Sequence, residues 1–212
     1  MDHYALTGEY FLHPTPAGAY YAASRATREP ARSFLQRLLR EPETPALAPD
    51  LAQDWTQLDE QGALSFVYRL QASGYVQGLP MQVEVPRERV EALLPPLLAQ
   101  LSDEGRAILA DKRGLYLGTA GFTHEAAEEL AALGADMAAV QERHARLLEG
   151  NLRLRSHGWG LVGAGGYSEL GFWPLYFGDD YFLLIIGGQP RFNQEAFTSL
   201  VWTLGVRYGN EA

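Results

Sequence analysis

Two periods of apolar residues divide the second half of the chain. Arg106 to Asp111 and Leu115 to Phe122 are largely apolar runs joined by Lys112, Arg113 and Gly114, which predicts two strands around a turn. Thr123 then stands before a long segment of helical period. Glu125, Glu128 and Glu129 fall in its first turns, where the amide end of a helix favours negative charge. Trp159 to Ala164, Glu169 to Tyr176 and Tyr181 to Gly187 return to strand-like runs, with Gly178, Asp179 and Asp180 turning the last hairpin. A closing helix is expected from Asn193, with Phe192 and Phe197 placed as a hydrophobic staple. Ahead of these elements, Val90, Leu93, Leu94, Leu97 and Leu101 keep helical spacing. The Pro95 and Pro96 pair is expected to break or kink that helix, because each lacks an N–H and crowds the preceding turn.

The first third reads differently. Glu9 to Leu12 and Ala19 to Ala23 are aromatic-rich runs flanking HPTPAG, which predicts a β-hairpin. Three short helices are expected next. The first carries Phe34, Leu35, Leu38 and Leu39 on one face and stops before Pro42; the second spans Pro49 to Trp55. The third, Leu58 to Ala72, aligns Leu64, Val67, Tyr68 and Gln71 and stops at Gly74. Gln77 to Pro86, with two prolines, forms a seam. The expected organisation is two domains, 1–79 and 80–212. A hairpin with three short helices resembles a winged-helix domain and is similar to the PqqD-like peptide-binding winged helices.

Composition narrows the possibilities. The chain has 212 residues and 47% hydrophobic composition, enough to build a core, and no cysteine, which excludes disulfides, thiolate metal sites and cysteine nucleophiles. Its longest strongly apolar run, Tyr181 to Gly188, suits a strand and is too short for a bilayer, so no membrane insertion is expected. MDHYALTGEY lacks a basic stretch followed by an apolar one, so the expected location is cytoplasmic. Net charge is −9, and neither half is basic: six Arg face nine acids in 1–79, and eleven bases face seventeen acids in 80–212. Nucleic acid is therefore disfavoured as a partner.

Candidate chemistry is thin. Gly158, Gly160 and Gly163 fit G-x-G-x-x-G, but a dinucleotide site needs a strand before that motif and a helix opening at its end, and here more strand follows. His124, Glu125 and Glu128 approach H-E-x-x-H without its second histidine. Asp179 and Asp180 read as turn residues, and the five histidines form no nucleophile–base pattern. Arg25, Arg28, Arg32, Arg37 and Arg40 form one basic cluster, but the helix that would enter a groove carries only Arg69. No catalytic, cofactor-binding or metal-ligating residue is assigned, and no cofactor is expected.

The long helix is the strongest lead. Ala126, Leu130, Leu133, Met137, Val140, His144 and Leu147 step as a heptad, with Ala127, Ala131, Ala132, Ala135, Ala138 and Ala139 beside them. Its apolar arc is wider than one sheet requires, as if a second surface were served. The phrases AILADKRGLYLGTAGF (107–122), THEAAEELAALGADMAAVQERHARLLEG (123–150) and FWPLYFGDDYFLLIIGG (172–188) resemble the first hairpin, central helix and last strands of the roadblock / dynein light chain family. The resemblance extends over about 86–208, nearest to its MglB-like members. It implies an α+β fold, an α/β/α sandwich on a five-stranded antiparallel sheet. It also implies a non-enzymatic homodimeric adaptor, partnered by a small Ras-like GTPase or another signalling protein. The equivalent helix and following strand form that family's dimer interface, which here places Leu130, Leu133, Met137, Val140 and Trp159 at the interface. Two alternatives stay open: a peptide- or protein-docking module using the winged segment, and a transcription regulator.

Overall fold

The computed structural model describes residues 4–178 and 180–209. It opens with strand β1 (Phe11–Pro14), which does not turn back on itself. Thr15 instead caps helix α1 (Pro16–Ala23): its hydroxyl accepts from the Gly18 amide at 3.1 Å, and Pro16 takes the first helical position. A Thr-Pro start is a strong helix signal, and it overrides the strand preference of Tyr20 and Tyr21. The hairpin expected from 9–12 and 19–23 is thus replaced by a strand and a helix. The partner of β1 is distant: β2 (Val76–Leu79) runs antiparallel to it, with Phe11 opposite Leu79 and Pro14 opposite Val76.

Between those strands lie α2 (Pro30–Leu38), α3 (Pro49–Thr56) and α4 (Glu60–Ala72). Asp59 caps α4 through the Gly62 amide, and Gly74 leaves it at φ +72°, a left-handed conformation that glycine adopts without strain. The buried stripe of α4 is Ala63, Leu64, Val67 and Leu70, while Tyr68, expected on that face, is exposed.

Helix α5 (Val90–Gln100) contains both Pro95 and Pro96 without interruption. The break expected there does not occur. Both prolines point to solvent, so water can satisfy the carbonyls they leave free, while Leu94 and Leu98 are buried on the opposite side. Strands β3 (Arg106–Asp111) and β4 (Tyr116–Ala120) follow, then α6 (His124–Arg143), a π-helix over Arg146–Asn151, and strands β5 (Trp159–Val162), β6 (Ser168–Phe177) and β7 (Asp180–Gly187). The sheet is fully antiparallel, ordered β4-β3-β7-β6-β5, so β5 is an edge. The succession of two strands, long helix, three strands and final helix matches the resemblance. Asp179, expected in the last turn, lies outside the described residues.

The final helix α7 (Glu195–Tyr208) begins two residues later than expected, yet the Phe192 and Phe197 rings still meet, with centroids 4.9 Å apart. It lies with α5 on one face of the sheet, and its residues are buried almost all round. The outer side of α7 is covered by the N-terminal segment. The Trp202 indole donates to the Glu41 carbonyl at 2.7 Å, His13 meets the Trp202 ring edge-on, and Tyr20 stacks on Phe192. One apolar core therefore runs from Leu12, Leu35 and Val76 through Leu200 and Leu204 to Leu184. The expected boundary at 79/80 falls at the end of β2, with that core on both sides of it.

Gly18 marks the tightest crossing. A Cβ there would collide with the backbone carbonyl of Tyr75, which the start of α1 crosses. Alanine for glycine in a helix usually stabilises by about 1 kcal/mol. Here backbone opposes backbone and cannot swing aside, so the steric cost wins. Gly18→Ala should destabilise the protein by roughly 1–3 kcal/mol in urea unfolding, where propensity alone would predict a gain.

Candidate functional site

Among the described residues, the opposite face of the sheet carries only α6. Ala127, Ala131 and Gly134 are buried against Ile108, Leu183, Ile185 and Phe172. A Cβ on Gly134 would come within 3.3 Å of Ile185, Leu183 and Phe172, so glycine sets how closely the helix approaches. The inward stripe is thus 127, 131, 134, 138 and 141, one residue after the heptad read from the sequence, a rotation of about 100°. The large apolar side chains flank this stripe. Leu130 is half-buried against the sheet-facing cluster, Met137 and Val140 are half-buried, and Leu133 is 44% exposed.

Beyond Arg143 the chain turns at His144, makes the π-helix and reaches β5 through residues 153–158, which form neither helix nor strand. On β5, Leu161 is 61% and Val162 is 64% exposed, next to the unpaired edge. Trp159 turns inward, opposite Phe172 in the β5–β6 register. Of the five residues expected at an interface, Met137 and Trp159 line one cleft of about 280 Å³, while Leu130, Leu133 and Val140 stand outside it.

That cleft contains a connected polar chain. The Trp159 Nε1–H donates to Gln141 Oε1 at 2.9 Å, and Gln141 Nε2 donates to Glu149 Oε1 at 3.4 Å. Glu149 Oε1 stands 4.0 Å from His157 Nδ1, and the His157 ring meets Tyr176 edge-on. Burial depresses the His157 pKa below its ordinary value; Glu149 opposes the shift, and Arg25 and Arg32 add to it. The phenols of Tyr176 and Tyr181, also in the lining, are raised, first by burial and then by neighbouring charge. Gln141, Glu149 and His157 escaped sequence reasoning. The polar Gln141 inside an alanine-rich stripe was the available signal; nothing local marked His157, which reaches the cleft only through the bend after α6.

The other sequence features resolve into structure. Gly158, Gly160 and Gly163 lie before, within and just after the edge strand β5, and the chain turns from there into β6. His124 Nδ1 bonds the Tyr116 hydroxyl at 2.6 Å, and its Nε2 lies 3.5 Å from Glu128 at the start of α6. Asp180 pairs with Lys112. Within the arginine cluster, Arg32 is buried and donates to the Tyr21 carbonyl, Arg37 pairs with Asp54 at 2.7 Å, and Arg25 donates to the Arg155 carbonyl. Arg28, Arg37 and Arg40 line one cleft together. No described helix is long and apolar enough to cross a membrane.

No family model matches the chain, and no curated protein matches it. Among solved structures it is similar to a roadblock/LC7 domain from Streptomyces avermitilis at 15% identity and a TM-score of 0.36, covering 57% of this chain and 93% of that one. It is also similar to Myxococcus xanthus MglB at 17% identity and a TM-score of 0.33, covering 55% of this chain and 88% of that one.

The Trp159–Gln141 bond is a sensitive point because Gln141 is buried. Trp159→Phe leaves its acceptor without that donor, a loss of roughly 1–3 kcal/mol. Adding Gln141→Leu should recover part of that loss, because both polar partners are then gone. A double-mutant cycle from chemical denaturation measures the coupling, and strictly additive losses would show the bond to be inert.

Proposed function

We propose that this protein is a non-enzymatic regulatory adaptor that self-associates through α6 and β5 and acts on or with a small Ras-like GTPase. The observation that carries the reading is an open strand edge beside a half-covered helix. Leu161 and Val162 are exposed along β5, and Leu133 is exposed on α6. An unpaired edge with apolar side chains is a template for another strand, and a two-fold axis beside it would pair β5 with its own copy. The interface would comprise Leu130, Leu133, Met137, Val140 and Trp159. Its GTPase partner follows from the family resemblance, and the mechanism is surface contact that shifts a switch-loop equilibrium. Residues 1–79 serve as an accessory winged-helix-like module: α2, α3 and α4 supply the helices, and β2 supplies a wing strand.

Self-association is tested at Leu133. Glutamate there would be solvated in the free chain but buried unpaired at the interface, a cost of ~2–5 kcal/mol that weakens a dimer by about 30-fold or more. Sedimentation should find the unaltered protein dimeric and Leu133→Glu a folded monomer. An unaltered protein that is monomeric at micromolar concentration sinks the proposal.

The division at 79/80 makes a separate prediction. Met81 is 73% exposed, and 82–84 and 87–89 are exposed too, so mild proteolysis should cut first between about 77 and 89. Because one apolar core spans the cut, the two fragments should elute together from a sizing column. First cuts inside 106–206 would refute the division.

A further inference from the structure

Strand β5 is poorly held by its own hydrogen bonds. It has four residues, one of them Gly160, and it pairs on one side only, with its register against β6 slipping between Leu161 and Val162. A glycine in a strand and an irregular register both weaken pairing. The chain reaches β5 through residues 153–158, which form neither helix nor strand. Arg153 there takes φ +54°, a left-handed conformation that a residue with a side chain rarely adopts. Among the described residues, the backbone from 155 to 157 makes no hydrogen bond to other backbone, and the Gly158 amide donates to the Ser156 hydroxyl at 3.2 Å.

What holds that stretch comes from the N-terminal segment. Arg25, two residues past α1, donates to the Arg155 carbonyl. Tyr20 and Ser24 face residues 155–158 across a space of about 60 Å³. Trp173 completes the clamp. Its indole lies where a Cβ on Gly158 would meet it at 2.9 Å, and it meets Phe192 edge-on, the ring on which Tyr20 stacks at 5.5 Å. The end of α1 is itself fixed: buried Arg32 on α2 donates to the Tyr21 carbonyl and lies 4.4 Å over the Tyr21 ring. Arg25 carries that support across to the approach to β5.

We infer that the end of α1 positions the self-association edge, so that docking of the N-terminal segment and pairing of β5 with a second copy are coupled. The inference rests on the self-association proposed above. With Arg25 on the Arg155 carbonyl, β5 is held against β6 and presents its outer edge, with Leu161 and Val162 exposed beside it. With α1 withdrawn, the approach is free to move and the edge is lost as a template. Coupling of this kind is reciprocal. A partner that pulls α1 away weakens self-association by the same factor by which self-association resists the partner.

Hydrogen exchange and sedimentation on the full chain test this with Arg25→Ala and Arg25→Lys. Exchange is read in the Leu133→Glu background, where no pairing masks the strand, and sedimentation without it. Arg25→Ala should raise exchange in peptides covering 155–162 about tenfold and leave β3, β7 and α7 unchanged, because the lost hydrogen bond holds only that stretch. It should weaken self-association by about the same factor. Arg25→Lys keeps a charged donor and should fall between the two. A bond that only adds global stability would instead raise exchange throughout, and that result overturns the assignment. Unchanged exchange at 155–162 overturns it too, as does raised exchange with undiminished self-association. An unaltered protein that is monomeric sinks self-association instead, while the exchange comparison still decides whether α1 positions β5.

Discussion

The structure depends on the enclosure of α7. A helix resting on a sheet needs only one apolar stripe, yet Phe197, Leu200, Val201, Trp202 and Leu204 leave α7 almost no solvent-facing side. An all-round apolar helix is stable in water only when both sides are covered. The sheet and α5 cover one side. The N-terminal segment covers the other, with α1 and β1 against it and the Glu41 carbonyl taking the Trp202 proton. Residues 1–79 are therefore joined to the sheet energetically, whatever separate role they have. This also explains the small residues at the crossings: Gly18 passes over Tyr75, and Gly205 lies against the Leu39 carbonyl, where larger side chains would hold the layers apart.

With two layers of cover on that face, the other face of the sheet is left, among the described residues, to a single helix. The inward stripe of α6 is made of Ala127, Ala131 and Gly134, which lets the helix sit close over Ile185 and Leu183 near its start. Toward its C-terminal end the helix and strands β5 and β6 leave the cleft lined by Met137, Trp159 and Tyr176. The larger aliphatic residues of α6, displaced from the inward stripe, point along its flanks, and Leu133 reaches solvent. Close packing at one end and displaced bulk at the sides arise from the same choice of small residues.

Much of this was legible in the residues. The bounds of β3 agree with the reading, because an apolar run followed by a glycine turn, Gly114 at φ +81°, allows few alternatives. Thr123 caps α6 as expected, its hydroxyl accepting from the Ala126 amide. Three features were not legible, each for a physical reason. The strand-like tyrosines after Pro16 yielded to a cap that forms within four residues. The Pro95–Pro96 helix survived because its prolines face water, a fact of tertiary placement. Which side of α6 turns inward is left open by the residues alone, because its alanines and its leucines both keep a seven-residue repeat, and only the sheet beneath decides between them. The cleft was invisible for a stronger reason: Gln141, His157 and Tyr176 come from three elements, and no local pattern joins them.

The remaining question is how an N-terminal segment that covers one face bears on a site at the other. Arg25, just past α1, donates to the carbonyl of Arg155, and Tyr20 and Ser24 border the same stretch from 155 to 158. That stretch carries His157 into the cleft and leads directly into β5. Trp173 reinforces the link: its indole lies over Gly158 and Gly171, where any Cβ would collide with it, and its edge meets Phe192 beneath α1. The N-terminal segment thus touches the backbone that positions both the cleft and the open strand edge while leaving α6 uncovered. Covering α7 and positioning β5 are performed by neighbouring residues of one short helix and its end, so a change in how α1 sits would be felt first at the approach to β5.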